Sequence, residues 1–230
     1  MLASGGGSNF QSILDYFDAF DRAAPAAVVL VASNRADAGV LERARARGIE
    51  TALIERPADG AALAALLERH GTELIALAGY LKLVPVEVTR RWRGAIVNIH
   101  PALLPKFGGA GMYDQHVHEA VIASGDRESG ATVHYVDEAY DRGASIACVR
   151  VAVARGDTAE SLAAHVLAAE HALYPRALHA VAAGWVTLDA DGRTVISDRE
   201  AIATRLPKPP SPFALEFLAA SPLALRSSPH

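Results

Sequence analysis

Ala95-Ile96-Val97-Asn98-Ile99-His100-Pro101 is a short apolar run that ends in a polar pair and is stopped by proline, with Ala102-Leu103-Leu104-Pro105 behind it. A strand of this kind presents side chains at the carboxyl edge of an α/β sheet, because proline cannot extend the ladder. Residues i and i+2 of an extended strand share a face, so Asn98 and His100 stand side by side. An amide donor next to a titratable imidazole can hold a carbonyl oxygen as it turns into an oxyanion, and can also move a proton.

Upstream of this stretch, strand and helix patterns alternate. Leu2-Ala3-Ser4 reads as the end of a buried strand, and Gly5-Gly6-Gly7-Ser8-Asn9 turns it into a helix over about 10–22, with Phe10, Ile13, Leu14, Phe17 and Phe20 on one stripe. The near-continuous apolar run 27–32 has the pattern of a strand covered on both faces. Helices over 39–47, 60–70 and 85–92 and strands over 51–54 and 74–78 complete the series. Short links between them predict a mostly parallel, Rossmann-like sheet with helices on both faces and right-handed crossovers. After Pro105 the style changes. A Gly-rich loop over 107–113 precedes a helix over 115–124, and 131–136 and 145–154 read as an antiparallel strand pair. A long helix over 158–183 follows, then a hairpin over 185–196 turning at Asp189-Ala190-Asp191-Gly192. From 206 to 230 the chain is rich in Pro, Ser and Ala and reads as a loosely held tail.

Composition narrows the function. At 230 residues, 51 % hydrophobic and 21 % charged, the chain fits one large α/β domain with a sizeable core. A net charge of −4 supplies no basic field to attract nucleic acid, and Arg90-Arg91-Trp92-Arg93 reads as a solvated helix end. The single cysteine, Cys148, allows no internal disulfide and favours a reducing compartment. No apolar run approaches the ~20 residues of a membrane span, and the first residues lack the basic-then-apolar pattern of a signal peptide. A cytoplasmic protein that binds neither membrane nor nucleic acid is expected.

Several groups invite chemistry. Gly5 to Asn9, between a strand and a helix, can bring backbone N–H groups to an anion, although a plain tight turn has the same composition and Asn9 suits a helix cap. It matches neither of the common nucleotide-binding glycine patterns. Asp141, in Tyr140-Asp141-Arg142-Gly143, is either a turn aspartate or a carboxylate that orients His100 and favours its protonated form. Glu170-His171, with Tyr174-Pro175, is equally compatible with a solvated helix face. His134 can face the site or the core. His116 and His118 lack a third ligand at metal-binding spacing, so no metal is expected.

Taken in order, Ala3 to Asn9, Ser33-Asn34-Arg35-Ala36-Asp37-Ala38, Ala78-Gly79-Tyr80-Leu81-Lys82, Asn98 to Pro105, Gly130 to Val136, Asp141-Arg142-Gly143, Glu170 to Pro175 and Arg205-Leu206-Pro207 make the chain resemble the folate-dependent formyltransferases, and among them the phosphoribosylglycinamide formyltransferases. The resemblance covers 2 to about 210. It implies one formyltransferase domain over 1–205, with a nucleotide-binding half (about 1–98) and a folate and catalytic half (about 99–205). It also implies transfer of the formyl group of 10-formyltetrahydrofolate to the amine of glycinamide ribonucleotide, in purine biosynthesis, by a monomer or homodimer. Asn98, His100 and Asp141 would be catalytic, with His134 supporting them. Gly6, Gly7, Ser8 and Asn9 would hold the substrate phosphate and Glu170 its ribose hydroxyls. Tyr80, Leu81, Lys82, Leu83 and Val84, with Val136, Asp137 and Glu138, would line the folate pocket.

Three departures stand out. The family's opening strand normally has several more residues before Leu2, so either the start is placed too late or the central strand is short. The loop 107–113 is long and glycine-rich, and Lys82 stands where many members carry arginine, which exchanges a two-pronged donor for a point charge. Two rivals remain. Formyltetrahydrofolate deformylase uses the same Asn, His and Asp, but usually adds an N-terminal regulatory domain and often has histidine at the position of Pro101. A non-catalytic ligand-binding protein could use the same sheet.

Overall fold

The computed structural model describes residues 1–20 and 23–218. Its sheet is assembled in the order β2 (Glu50–Leu53), β1 (Leu30–Ser33), the segment 1–4, β3 (Ile75–Ala78), β4 (Ile96–His100), β5 (Glu128–Tyr135), β6 (Ser145–Ala152) and β9 (Leu215–Phe217). β1 and β2 are parallel, as are β3 and β4, while β5, β6 and β9 extend the far side antiparallel. β1 and β3 do not pair with each other. Leu2 joins them, forming parallel bridges to Ala32 on one side and Leu77 on the other. The segment 1–4 is thus paired on both edges.

Side-chain alternation sorts the core into two layers, as strands covered on both faces require. Leu2, Leu30, Ala32, Ile75, Leu77 and Ile96 pack under α3 (Gly60–Arg69) and α4 (Val86–Arg91), against Leu63, Leu67, Val88 and Trp92. Val31, Val97, Ile99, Val133 and Ala147 face the other way, toward α1 (Ser8–Asp18), α2 (Gly39–Ala46), α5 (Gln115–Ser124) and α6 (Ala159–Ala182). Mostly parallel strands between two helical layers, with the antiparallel pair β5–β6 beside them, is the architecture that the alternating sequence predicts.

α6 is the spine of its layer. Thr158 caps it with a reciprocal bond to Ser161, and it runs 24 residues through Pro175. Tyr174, fully buried, donates its hydroxyl between Leu77 O at 2.8 Å and Val97 O at 3.0 Å, which ties the helix to the ends of β3 and β4. Glu170 lies one turn earlier on the same face.

The hairpin forms as expected, from β7 (Val186–Leu188) and β8 (Thr194–Ile196). The stretch after Leu206 departs from a loosely held tail. Arg176, buried on α6, donates to Pro207 O at 2.8 Å and Lys208 O at 2.9 Å, and β9 adds to the open edge of β6 in the register Cys148↔Glu216. Unpaired edge N–H and C=O groups drive this addition, which composition does not report. The short helix α7 (Arg199–Arg205), capped by Asp198, was likewise not anticipated. The remainder of the expected tail, 219–230, lies outside the described residues.

Replacing Tyr174 with Phe keeps the packing and strips both carbonyls of their donor. It is expected to lower the unfolding free energy by about 1–3 kcal/mol in urea denaturation, and an unchanged midpoint would show that the clamp contributes nothing.

Candidate active site

The carboxyl ends of the segment 1–4, β3 and β4 open into a cavity of about 640 Å³. Its position follows from topology. The chain leaves the central segment toward β1 and β2 on one side and β3 and β4 on the other, and the crevice forms where the winding reverses.

At one end lies the glycine turn. Gly7 takes φ +80 as the N-cap of α1, and a Cβ there would meet Val40 at 2.9 Å, so glycine is needed both for the turn and for the close approach of α2. Arg43 donates to Gly6 O at 2.8 Å and holds the turn from outside. The first N–H groups of α1 have no partners within the helix and open to the cavity. Asn9 is not a cap: it sits inside the first turn, and its Nδ2 donates to Glu170 Oε2 at 2.6 Å. Glu170 is therefore buried rather than on a solvated helix face. Burial raises its carboxyl to about 7, and the Asn9 amide opposes only part of that rise.

At the other end lies the polar pair of β4. Register places Asn98 opposite His134 and His100 opposite Thr132. Asn98 Nδ2 lies 3.0 Å from His134 Nε2, while His134 Nδ1 donates to Tyr135 O at 2.8 Å. Thr132 receives Leu104 N at 3.1 Å and donates to Ala102 O at 2.7 Å, pinning the chain just after His100. Asp141, at φ +54, turns its carboxylate inward. Its Oδ2 lies 3.5 Å from His100 Nδ1 and accepts Gly109 N–H at 3.0 Å, and its Oδ1 lies 3.4 Å from His134 Nε2. Burial pushes the Asp141 carboxyl up. The His134 and His100 imidazoles beside it and the Gly109 amide outweigh it, so the net shift is downward.

His100 departs from expectation. Its Nε2 donates to Phe107 O at 2.8 Å. Burial lowers its affinity for a second proton, and Asp141 and the Phe107 carbonyl do not fully offset that loss. Asp141 thus favours the charged ring, but the net shift is downward, opposite to what a carboxylate neighbour alone would give.

The cavity collects Gly6, Gly7, Ser8, Asn9, Glu170, Tyr80, Leu81, Lys82, Leu83, Val84, Val136, Asn98, His100, His134 and Asp141. Asp137 and Glu138 stay outside it. Asp137 caps its own turn by accepting Ala139 N–H at 2.9 Å, and Glu138 pairs with Arg90 at 2.8 Å on the surface. Ala139 and Tyr140 take their place. Among the described residues, Leu81, Leu83, Tyr113, Tyr140 and Leu167 are large, exposed hydrophobic side chains that all line this one cavity, as a flat apolar ligand requires. Arg35, from the Ser33 to Ala38 stretch, and His118, weighed above only as a metal ligand, also line it. Among the described residues no group of His, Cys, Asp or Glu is placed to hold a metal ion.

The Glu170 shift sets a pH dependence. Between its ordinary 4.5 and about 7 the unfolded chain releases this proton while the folded protein keeps it, so stability falls as pH rises through that window. Glu170→Gln is expected to match the parent near pH 5 and to unfold at higher urea near pH 8, by about 1–3 kcal/mol. Parallel pH profiles for the two proteins would contradict this.

The formyl transferase family matches residues 1–178. A chloroplastic phosphoribosylglycinamide formyltransferase from Arabidopsis thaliana is 41 % identical over 207 residues, which is 87 % of this chain and 70 % of the plant protein. The trifunctional purine biosynthetic protein adenosine-3 of Bos taurus is 38 % identical over 84 % of this chain, which spans 19 % of that longer protein. A crystal structure of phosphoribosylglycinamide formyltransferase from Anaplasma phagocytophilum superposes with a TM-score of 0.78 at 34 % identity, covering 86 % of this chain and 92 % of that one. The chain belongs to the formyl transferase family, in its phosphoribosylglycinamide formyltransferase branch.

Proposed function

We propose that this cavity transfers the formyl group of 10-formyltetrahydrofolate to the amine of glycinamide ribonucleotide. The observation that carries the reading is the convergence, in one cavity, of an anion cradle at Gly5 to Asn9 with the Asn98, His100 and Asp141 constellation at the opposite end. The phosphate sits on the first turn of α1, where free N–H groups and the helix dipole favour an anion. Glu170 accepts the ribose hydroxyls. The folate ring system lies on the apolar rim formed by Leu81, Leu83 and Tyr140.

The substrate amine attacks the formyl carbon, a C–N bond forms, and the carbonyl oxygen becomes an oxyanion. Asn98 has two amide hydrogens, and one of them is turned to His134, which leaves the other for the oxyanion. His100 acts by charge. Its Nε2–H is committed to Phe107 O and its Nδ1 faces Asp141, so neither nitrogen is free to bind the oxyanion directly. Asp141 takes the proton from the attacking amine, directly or through water, and shares it with His100 Nδ1. The imidazolium formed in this way faces the new negative charge, which offsets the burial that keeps the ring neutral beforehand. The same proton then passes to the folate nitrogen as its bond to the formyl carbon breaks.

A deformylase reading is not favoured, since the relatives above carry transferase names. No described helix is long and apolar enough to cross a membrane, and the single buried Cys148 supports a reducing aqueous compartment such as the cytoplasm. A monomer or a homodimer suits the fold equally.

The decisive assay follows 10-formyltetrahydrofolate consumption by the purified protein with and without glycinamide ribonucleotide. Turnover that requires the ribonucleotide supports the transferase, and equal turnover without it identifies a hydrolase. His100→Ala and Asp141→Asn are each expected to reduce kcat by about 10²–10³, with ribonucleotide affinity little changed. Near-normal kcat in either variant would overturn the assigned roles.

A further inference from the structure

His118 is the one histidine at this cavity that neither the proposed chemistry nor the glycine cradle employs. It sits on the inner face of α5, is only 5 % exposed, and lines the cavity. Its Nδ1 is sealed from solvent and has no hydrogen-bond partner among the described residues. A buried histidine held only for packing normally has its ring nitrogens satisfied.

The state of the ring follows from these facts. Burial lowers its affinity for a second proton, with the nearby Asp114 carboxylate opposing and His100 reinforcing the shift, so the ring is neutral. A sealed N–H without an acceptor costs more than a sealed lone pair, because the strongly polar donor loses its water. With Nδ1 sealed, a proton carried on Nε2 leaves no orphaned donor inside the protein and gives the ring a donor on its other side. His118 is then an uncharged donor for which no acceptor is found among the described residues.

Its position selects the acceptor. α5 is bonded to α6, the helix that carries Glu170, through Gln115 Nε2 to Glu160 Oε1 at 2.9 Å. Its N-cap, Asp114, is the last residue of the loop that bonds His100 and Asp141 through Phe107 O and Gly109 N. His118 thus lines the same cavity as Glu170 and lies close enough to His100 for their charges to interact. Resting on the function proposed above, we infer that His118 Nε2–H donates to the amide carbonyl of the glycinamide arm, the part of the substrate that joins ribose to the reacting amine. A neutral donor suits this role, since a charged one would compete for the phosphate or repel the protonated amine.

The test compares the parent with His118→Leu, which removes the donor, and His118→Gln, which returns an N–H near the position of Nε2. One lost hydrogen bond of this kind is expected to raise both KM and Kd for glycinamide ribonucleotide about tenfold in the leucine variant. The kcat and the KM for 10-formyltetrahydrofolate should hold within about twofold, and glutamine should recover most of the loss. Ribose 5-phosphate, which has the phosphate and sugar but no glycinamide arm, should inhibit parent and leucine variant equally. Unchanged ribonucleotide affinity in a folded leucine variant overturns the inference. So does an equal loss of ribose 5-phosphate binding, which would place the contact on the sugar. Should leucine prevent folding, His118→Asn, whose amide is too short to reach the cavity, carries the same expectation. Failure of the parent protein to bind the ribonucleotide would instead defeat the function on which the inference rests.

Discussion

Five backbone hydrogen bonds hold this sheet together at its centre: Leu2 N to Ala76 O, Ala78 N to Leu2 O, Ala3 N to Ala32 O, Ala32 N to Met1 O, and Ser4 N to Gly79 O. β1 and β3 never touch as strands, so the two wings of the sheet are joined only through this segment among the described residues. Its side chains serve both layers, with Leu2 in one core and Met1 and Ala3 in the other. Ser4 finishes the join, donating its hydroxyl to Asn34 Oδ1 at 2.6 Å and accepting Leu81 N at 3.2 Å. The same few residues that fix the register of both wings also end where the glycine cradle begins. Any slip of this segment would move the cradle away from Glu170 and from the carboxyl end of β4.

The two buried carboxylates of the site illustrate how partners decide charge. Both are largely withdrawn from water. Asp141 gains two imidazoles and a backbone amide, and stays ionised. Glu170 gains one neutral amide, that of Asn9, and its carboxyl rises to about 7. Desolvation acts on each in the same direction, and the number of donors it meets sets the outcome. An ionised Asp141 is ready to take a proton from an amine. A half-protonated Glu170 is ready to gain the hydrogen bonds of incoming hydroxyls, which would favour its charged form.

Much of this was legible in the sequence, and the losses have physical reasons. The apolar runs and short links dictate the two-layer sheet, because strands buried on both faces leave no other pattern. Asn98 and His100 could be placed on one face by the period of a strand alone. His134 could not, since its facing depends on antiparallel register, a long-range property. Asp137 and Glu138 were misplaced because a loop has no period to project side chains from, and local bonds to Ala139 and Arg90 pull both outward. β9 was missed because a Pro-rich segment can still complete an open strand edge when a buried arginine, Arg176, anchors its approach. The direction of the His100 shift was hidden for a further reason: a sequence reveals a carboxylate neighbour but not the depth of burial that opposes it.

The glycine-rich loop 107–113 shows how composition can encode electrostatics indirectly. Its Phe107 carbonyl fixes which nitrogen of His100 bears the proton, and its Gly109 amide helps keep Asp141 ionised. Both contacts need the loop to lie against the Asp141 side chain. A Cβ on Gly108 would meet Leu104 Cδ2 at 2.5 Å and Asp141 Cβ at 3.2 Å, so a larger residue there would displace the Leu104 side chain and press on Asp141. Phe107 itself takes φ +57, a left-handed turn that a bulky side chain adopts only when its surroundings compel it. The compulsion comes from both sides: Thr132 pins the chain before the turn, and Asp141 receives it after. The loop's glycines therefore serve two ends: Gly108 leaves room for the close approach to Asp141, while Gly109 and Gly111 take positive φ and let the backbone turn so that its carbonyl and amide reach the catalytic pair.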